Sequence, residues 1–129
     1  MNVDSVASHF DLSGKVILVT GGSRGLGLEM CRAFGHAGAS LIISSRKQDA
    51  CDAAAAQITE ETGAKCLPVA AHVGDWDACD ALVEAAYAEF GQIDVLVNNA
   101  GMSPLYPSLT AVSRELFDKV IGVNLAGPF

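Results

Sequence analysis

The chain has 129 residues, half of them apolar and only 6% aromatic, and carries a formal charge of -7. That length suits one compact domain with a core of Val, Leu, Ile and Ala, the usual filling of a parallel sheet covered on both faces. The acidity excludes a broad nucleic-acid surface, which needs a basic face, but leaves room for a small phosphate site served by one or two local cations.

Residues 1–12 read as a loosely held arm, and residues 13–129 as a single domain. Lys15–Thr20 (KVILVT) is a β-branched run that stops at glycines, which predicts a buried strand. From Gly25 to Ala37 the spacing of Leu26, Met30, Ala33 and Phe34 lays out one helical face. Gly35 inside that helix looks like an imperfection worth about 1 kcal/mol against Ala, and Gly38 closes it in a left-handed conformation. Ser40–Ser44 predicts a second strand, and Asp49–Thr62 an alanine-rich helix stopped by Gly63. Cys66–Ala71 is a third strand, moved to an edge by Pro68, which cannot donate to a ladder. Asp75 caps a helix over Trp76–Phe90. A fourth strand over Ile93–Asn98 precedes a proline-bearing loop and an amphipathic helix from Ser113 to Leu125. Strict alternation of β and α predicts an α/β, Rossmann-like, doubly wound parallel sheet with strand order 3-2-1-4.

The four cysteines, Cys31, Cys51, Cys66 and Cys79, form no CxxC and no pairing with a histidine. They read as structural thiols in a reducing, cytoplasmic setting, and no metal site is expected. His9 and His36 carry no signal. The first fifteen residues lack the apolar core of a signal peptide, and no run is long enough to cross a bilayer, so no membrane partner is expected.

Directly after the first strand stands Thr20-Gly21-Gly22-Ser23-Arg24-Gly25-Leu26-Gly27. Gly21 permits a tight turn, Gly25 lets backbone approach a pyrophosphate, and Gly27 lets the helix pack close to the strand. The unpaired N–H groups at the helix start, with the positive end of its dipole, then receive phosphates, and the Ser23 hydroxyl can join them. The position between a predicted strand and a predicted helix is the context such a motif requires.

The spacing TGxxxGxG resembles that of the short-chain dehydrogenase/reductase family. Asn98-Asn99-Ala100-Gly101 after the fourth strand and Val123-Asn124 in the last helix are similar to two further motifs of that family, and the likeness runs from about Leu12 to the final residue. It implies a nicotinamide-dependent oxidoreductase that moves a hydride between the cofactor and a ketone or secondary alcohol. At the end of the second strand, where an NAD enzyme sets an acid against the ribose, the sequence reads Ser44-Ser45-Arg46-Lys47. Ser45 leaves room for a 2′-phosphate, Arg46 can grip it with a planar fork, and the likeness turns Arg24 toward the same group, so NADP(H) is expected over NAD(H). Lys47 reads as a solvated lysine.

The same likeness sets Leu26 in the cofactor turn and places Asn98, Ala100 and Gly101 along the adenosine ribose, with Asn99 tying neighbouring strands. Met102 to Tyr106 would border the nicotinamide or substrate side. One departure stands out. The family usually has an aspartate against the adenine amino group, and His72-Val73 occupy that place here. A histidine can accept at one ring nitrogen or stack on the base, or it is only a turn residue.

Of the family's catalytic set, Asn124 matches the asparagine that holds a water in the proton relay. The serine and the Tyr-x-x-x-Lys are missing, since Gly91 and Thr110 stand four residues beyond Tyr87 and Tyr106, the only two tyrosines. The sequence therefore reads as the cofactor-binding N-terminal portion of such an enzyme, stopping before a fifth strand. The chain by itself is expected to be poorly stable and inactive, with an apolar sheet edge left bare. The complete protein would be a homodimer or homotetramer. The competing reading is a non-catalytic NADP(H)-binding module or regulatory protein, finished at this length.

Overall fold

The computed structural model describes residues 3–129. In chain order the elements are α1 (Val3–Ser8), β1 (Val16–Thr20), α2 (Gly25–His36), β2 (Ser40–Ser45), α3 (Gln48–Thr62), β3 (Cys66–Ala70), α4 (Trp76–Phe90), β4 (Val95–Val97) and α5 (Arg114–Ile121). A single 3-10 turn over Leu109–Ala111 precedes α5, and a π turn over Gly122–Ala126 follows it. The strands form one four-stranded sheet in the order β3-β2-β1-β4, and all pairs are parallel. The doubly wound architecture and the strand order are those expected.

Alternation along the strands fills two cores. Ile17, Val19, Leu41 and Ile43 face α2 and α3, where Cys31, Ala54 and Ile58 close the layer. Val16, Leu18 and Ile42 face the other way, against Leu82 and Ala86 of α4. All five residues of β1 are buried, and burying each large aliphatic side chain contributes about 1.5–3 kcal/mol. β3, which contains Pro68, lies at an edge as its sequence requires. Asp75 caps α4 by accepting from the Asp77 and Ala78 N–H groups, and Ser113 caps α5 by accepting from Leu116 N–H. The four cysteines are free, with Cys31 and Cys51 buried. Among the described residues no helix is long and apolar enough to cross a membrane.

Several local expectations give way to long-range contacts. The arm contains a short helix, Val3–Ser8, and Met1 and Asn2 lie outside the described residues. The arm is joined to the domain where Leu12 N–H donates to the Ala37 carbonyl at the end of α2 (2.8 Å). Gly35 is more than an imperfection: a Cβ there would stand 2.7 Å from Thr62 Oγ1, so its absence lets α2 settle on α3. β4 spans only Val95–Val97 of the expected Ile93–Asn98, and just beyond it the chain turns sharply, with Asn99 N–H donating to the Val97 carbonyl (2.9 Å). The last helix widens at Gly122, where Gly127 N–H reaches back five residues to the Gly122 carbonyl (2.9 Å).

β4 is the other edge of the sheet, and its Leu96 is 53% exposed. Phe117, Ile121 and Leu125 of the last helix are also exposed. The apolar edge anticipated from the sequence is therefore present.

One side chain joins β4 to β1 at their amino ends. Asp94 Oδ2 accepts from Val16 N–H (2.8 Å) and from Gln92 Nε2 (2.8 Å), and Lys15 Nζ lies 3.7 Å from Oδ1. The backbone hydrogen bond from Val16 chiefly holds the Asp94 carboxyl below its ordinary value, with help from Gln92 and Lys15. A carboxyl lowered in the folded state stabilises fully above its unfolded value and loses that contribution as pH falls through the lowered one. Asp94→Asn should therefore unfold more easily than the parent at neutral pH. Chemical denaturation over a pH series should show the gap closing below the ordinary value of 3.8. A gap independent of pH would mean that the charge of Asp94 is not what holds β4 in place.

Candidate functional site

The parallel register brings the carboxyl ends of the strands into line: Thr20 lies opposite Ser44, Val19 opposite Val97, and Ser45 opposite Ala70. The strand order reverses on either side of β1, and a doubly wound sheet opens a crevice at that place. A cleft of about 1680 Å³ lies there, running from the glycine turn past the end of β2 to the loops after β3 and β4.

The turn is built by close approach. Gly21 has φ +66° and Gly25 φ +55°, conformations that strain any residue with a side chain. A Cβ on Gly27 would fall 2.1 Å from the Gly21 carbonyl oxygen and 2.7 Å from Asn99 Nδ2, so only glycine allows α2 to begin so near β1. Asn99 closes the assembly from β4, its Nδ2 donating to the Thr20 carbonyl (3.0 Å) and the Gly21 carbonyl (3.1 Å). That is the strand-tying role expected of it. Thr20, which the sequence reading passed over, adds a second tie. Its buried Oγ1 accepts from Ala100 N–H (3.1 Å) and donates to the Val97 carbonyl (3.3 Å). The hydroxyl at the end of an otherwise apolar strand was the available signal.

The first turn of α2 is left open. Arg24, its N-cap residue, is extended and makes no side-chain cap, unlike the acid before α4 and the serine before α5. The amides of Gly25, Leu26 and Gly27 thus have no partner within their own helix and add to the positive end of its dipole. Behind them burial pushes the Cys31 thiol up to about 12, with Cys66 adding to the shift, so this cysteine is an inert part of the core.

Every residue expected to touch the cofactor lines this cleft except Asn98. Gly21, Ser23, Arg24, Gly25, Leu26 and Gly27 form one wall, Ser45 and Arg46 the next, and His72 and Val73 the one after. Ala100 and Gly101 border both the cleft and a side recess of about 420 Å³, and that recess is where Asn98 and Asn124 lie. Lys47 also lines the cleft, although it had read as an ordinary surface lysine. Among the described residues no ion pair engages Arg24, Arg46 or Lys47. The nearest acid in sequence, Asp49, accepts from Ala50 N–H at the start of α3 (2.8 Å).

Asn124 sits within the π turn and clips two segments together. Its Oδ1 accepts from Met102 N–H and its Nδ2 donates to the Met102 carbonyl, both at 2.8 Å. The π turn and the pairing with Met102 were not legible from sequence. Neither tyrosine lines the cleft, and no group of three or more potential metal ligands occurs among the described residues.

Residues 15–129 match the family model described as short chain dehydrogenase. Among similar proteins, 3beta-hydroxysteroid dehydrogenase 1 of Eggerthella lenta is 40% identical over 119 residues, covering 92% of this chain and 45% of the relative. The L-sorbose reductase of Gluconobacter frateurii, solved with NADPH and L-sorbose, superposes with a TM-score of 0.86 at 32% identity, over 90% of this chain and 44% of the reductase. The 3-ketoacyl-(acyl-carrier-protein) reductase of Brucella melitensis, solved with NADH, gives a TM-score of 0.83 at 38% identity, over 90% of this chain and 46% of that structure. The chain spans 41% of the length of one similar curated protein and 68% of another.

Two glycine substitutions separate packing from conformation at the turn. Gly25→Ala puts a Cβ into open space and should cost only the left-handed penalty of about 1–2 kcal/mol. Gly27→Ala forces a methyl group onto backbone and should cost more, at the upper end of about 1–3 kcal/mol or beyond. Equilibrium unfolding of the two variants tests the order. Equal losses would show that α2 does not depend on the close approach.

Proposed function

This chain belongs to the short-chain dehydrogenase family, and from that premise we propose that it holds NADP(H) in an oxidoreductase interconverting a ketone and a secondary alcohol. The observation that carries the cofactor preference is the end of β2. Ser45, Arg46 and Lys47 line the cleft there with no carboxylate among them, and neither Arg46 nor Lys47 is spent on an ion pair among the described residues.

The cradle fits a dinucleotide. Gly21 and Gly27 let α2 begin close against β1, and the open amides of Gly25, Leu26 and Gly27 offer a positive field suited to a pyrophosphate, with Ser23 on the same wall. Ser45 leaves space for a 2′-phosphate where an acid would repel it. Arg46 offers a planar fork to that phosphate, and Arg24, on the adjoining wall of the cleft, offers a second. Val73, Ala100 and Gly101 bring backbone close to the adenosine half, and Asn98 borders it from the recess. Bound here, the nicotinamide supplies or accepts the hydride.

Asn124 acts as a positioning residue. Its side-chain amide is oriented by Met102, so a water that it holds for a proton relay has a fixed place relative to the loop of Met102, Ser103 and Pro104 that borders the cleft. Residues 1–129 hold no Tyr-x-x-x-Lys pair, and the reaction needs such a proton donor from outside them. The exposed edge of β4 and the apolar face of α5 are suited to take up the chain segment that brings it, or a second copy of the protein.

Arg46→Asp combined with Arg24→Ala should lower NADPH affinity by about a hundredfold or more, since each charge-assisted hydrogen bond is worth about 1.5–3 kcal/mol. NADH affinity should change by less than about threefold. Fluorescence titration of the reduced cofactors reads both. An equal loss for the two would assign the arginines to general folding and not to the 2′-phosphate.

A further inference from the structure

His72 stands in the cleft beside the end of β2. Ala71 N–H donates to the Ser45 carbonyl (2.8 Å), which extends the β2–β3 register one step beyond the strand and sets His72 next to Ser45 and Arg46. In a doubly wound nucleotide fold the adenosine ribose lies at the end of β2. The base it carries, directed away from the pyrophosphate, then has the turn after β3 as its neighbour. This placement rests on the cofactor reading given above.

The turn dictates which way the histidine is protonated. Gly74 N–H donates to His72 Nδ1 at 3.0 Å, and Asp75 N–H donates to the His72 carbonyl at 2.9 Å. An amide N–H can only donate, so Nδ1 is the accepting nitrogen and the ring proton resides on Nε2. The ring lies close over the backbone, since a Cβ on Gly74 would come within 2.9 Å of its Cε1. The one carboxylate in this turn that could accept instead, Asp75, is committed to Asp77 and Ala78 N–H at the start of α4. A hydrogen-bond donor is therefore what this turn offers the base.

We propose that His72 reads the adenine edge as a hydrogen-bond donor through Nε2–H, taking the N7 lone pair of the base and leaving the exocyclic amino group unread. The site then distinguishes cofactor analogues by the acceptors they present. A carboxylate in the same place would do the reverse, accepting from the amino group and repelling a lone pair.

Etheno-NADP+ separates the two cases: its bridge closes N1 and ties the amino nitrogen into a fused ring, so the N7 edge keeps its lone pairs and loses its only donor. Binding of NADP+ and etheno-NADP+ to the intact protein and to its His72→Asp variant is measured by titration calorimetry, without turnover. The parent should bind the two ligands within about threefold of each other. His72→Asp should bind the etheno analogue about tenfold more weakly than it binds NADP+, through loss of a hydrogen bond to a charged group. Aspartate is smaller than histidine, so crowding by the extra ring would be eased in the variant, opposite to the expected effect. A parent that itself loses about tenfold on the etheno analogue, or a variant with an unchanged ratio, overturns the donor assignment. A parent that binds neither ligand overturns the cofactor reading beneath it.

Discussion

The constraint on which the rest of the molecule depends is the contact between the start of α2 and the ends of β1 and β4. Gly27 has no room for a methyl group, because the Gly21 carbonyl and the Asn99 amide already occupy the space. With this contact made, α2 opens immediately after the strand, its first amides emerge at the carboxyl edge of the sheet, and the Asn99 side chain satisfies the carbonyls of Thr20 and Gly21. Widening this approach would move the anion-receiving amides away from the cleft and leave buried carbonyls without donors, a cost of about 1–3 kcal/mol for each. Packing and prospective binding share one piece of geometry.

The cleft inherits its chemistry from the topology. Because the sheet is parallel and in register, the turns that follow all four strands share one rim, so the glycine turn, Ser45-Arg46, His72-Val73 and Ala100-Gly101 become neighbours despite their distance in sequence. A chain with a formal charge of -7 can still present a cationic corner: the two acids that line the cleft, Glu115 and Asp118, pair with Lys119 and Arg114, and Asp49 accepts from Ala50 N–H at the start of α3. Local arrangement of charge, more than its sum, decides what such a rim can hold.

Features encoded by neighbours in sequence were legible before the structure. The alternation of strands and helices, the edge position of the strand bearing Pro68, the Asp75 cap and the left-handed Gly38 and Gly63 all follow from local rules of periodicity, capping and turn chemistry. What escaped was set by partners far along the chain. Asp94 clamps Val16 across 78 positions, and the Thr20 hydroxyl meets Ala100 across 80. Gly35 seemed a flaw because its reason, Thr62, lies on another helix. Asn124, within the π turn, is likewise held by Met102, 22 residues earlier. At the site, the residue types and their order along the rim could be read, while the commitments of individual side chains, such as His72 to Gly74 and Asn124 to Met102, required three dimensions.

The central claim is that the backbone at the head of α2 receives the phosphates of a nicotinamide dinucleotide. Amide chemical shifts followed by NMR during titration with NADPH address it directly. The account predicts the largest displacements at the amides of Gly25, Leu26 and Gly27, with Ser45 and Arg46 moving in the same concentration range. Saturable displacements confined to other parts of the chain, with these amides unmoved, would contradict it.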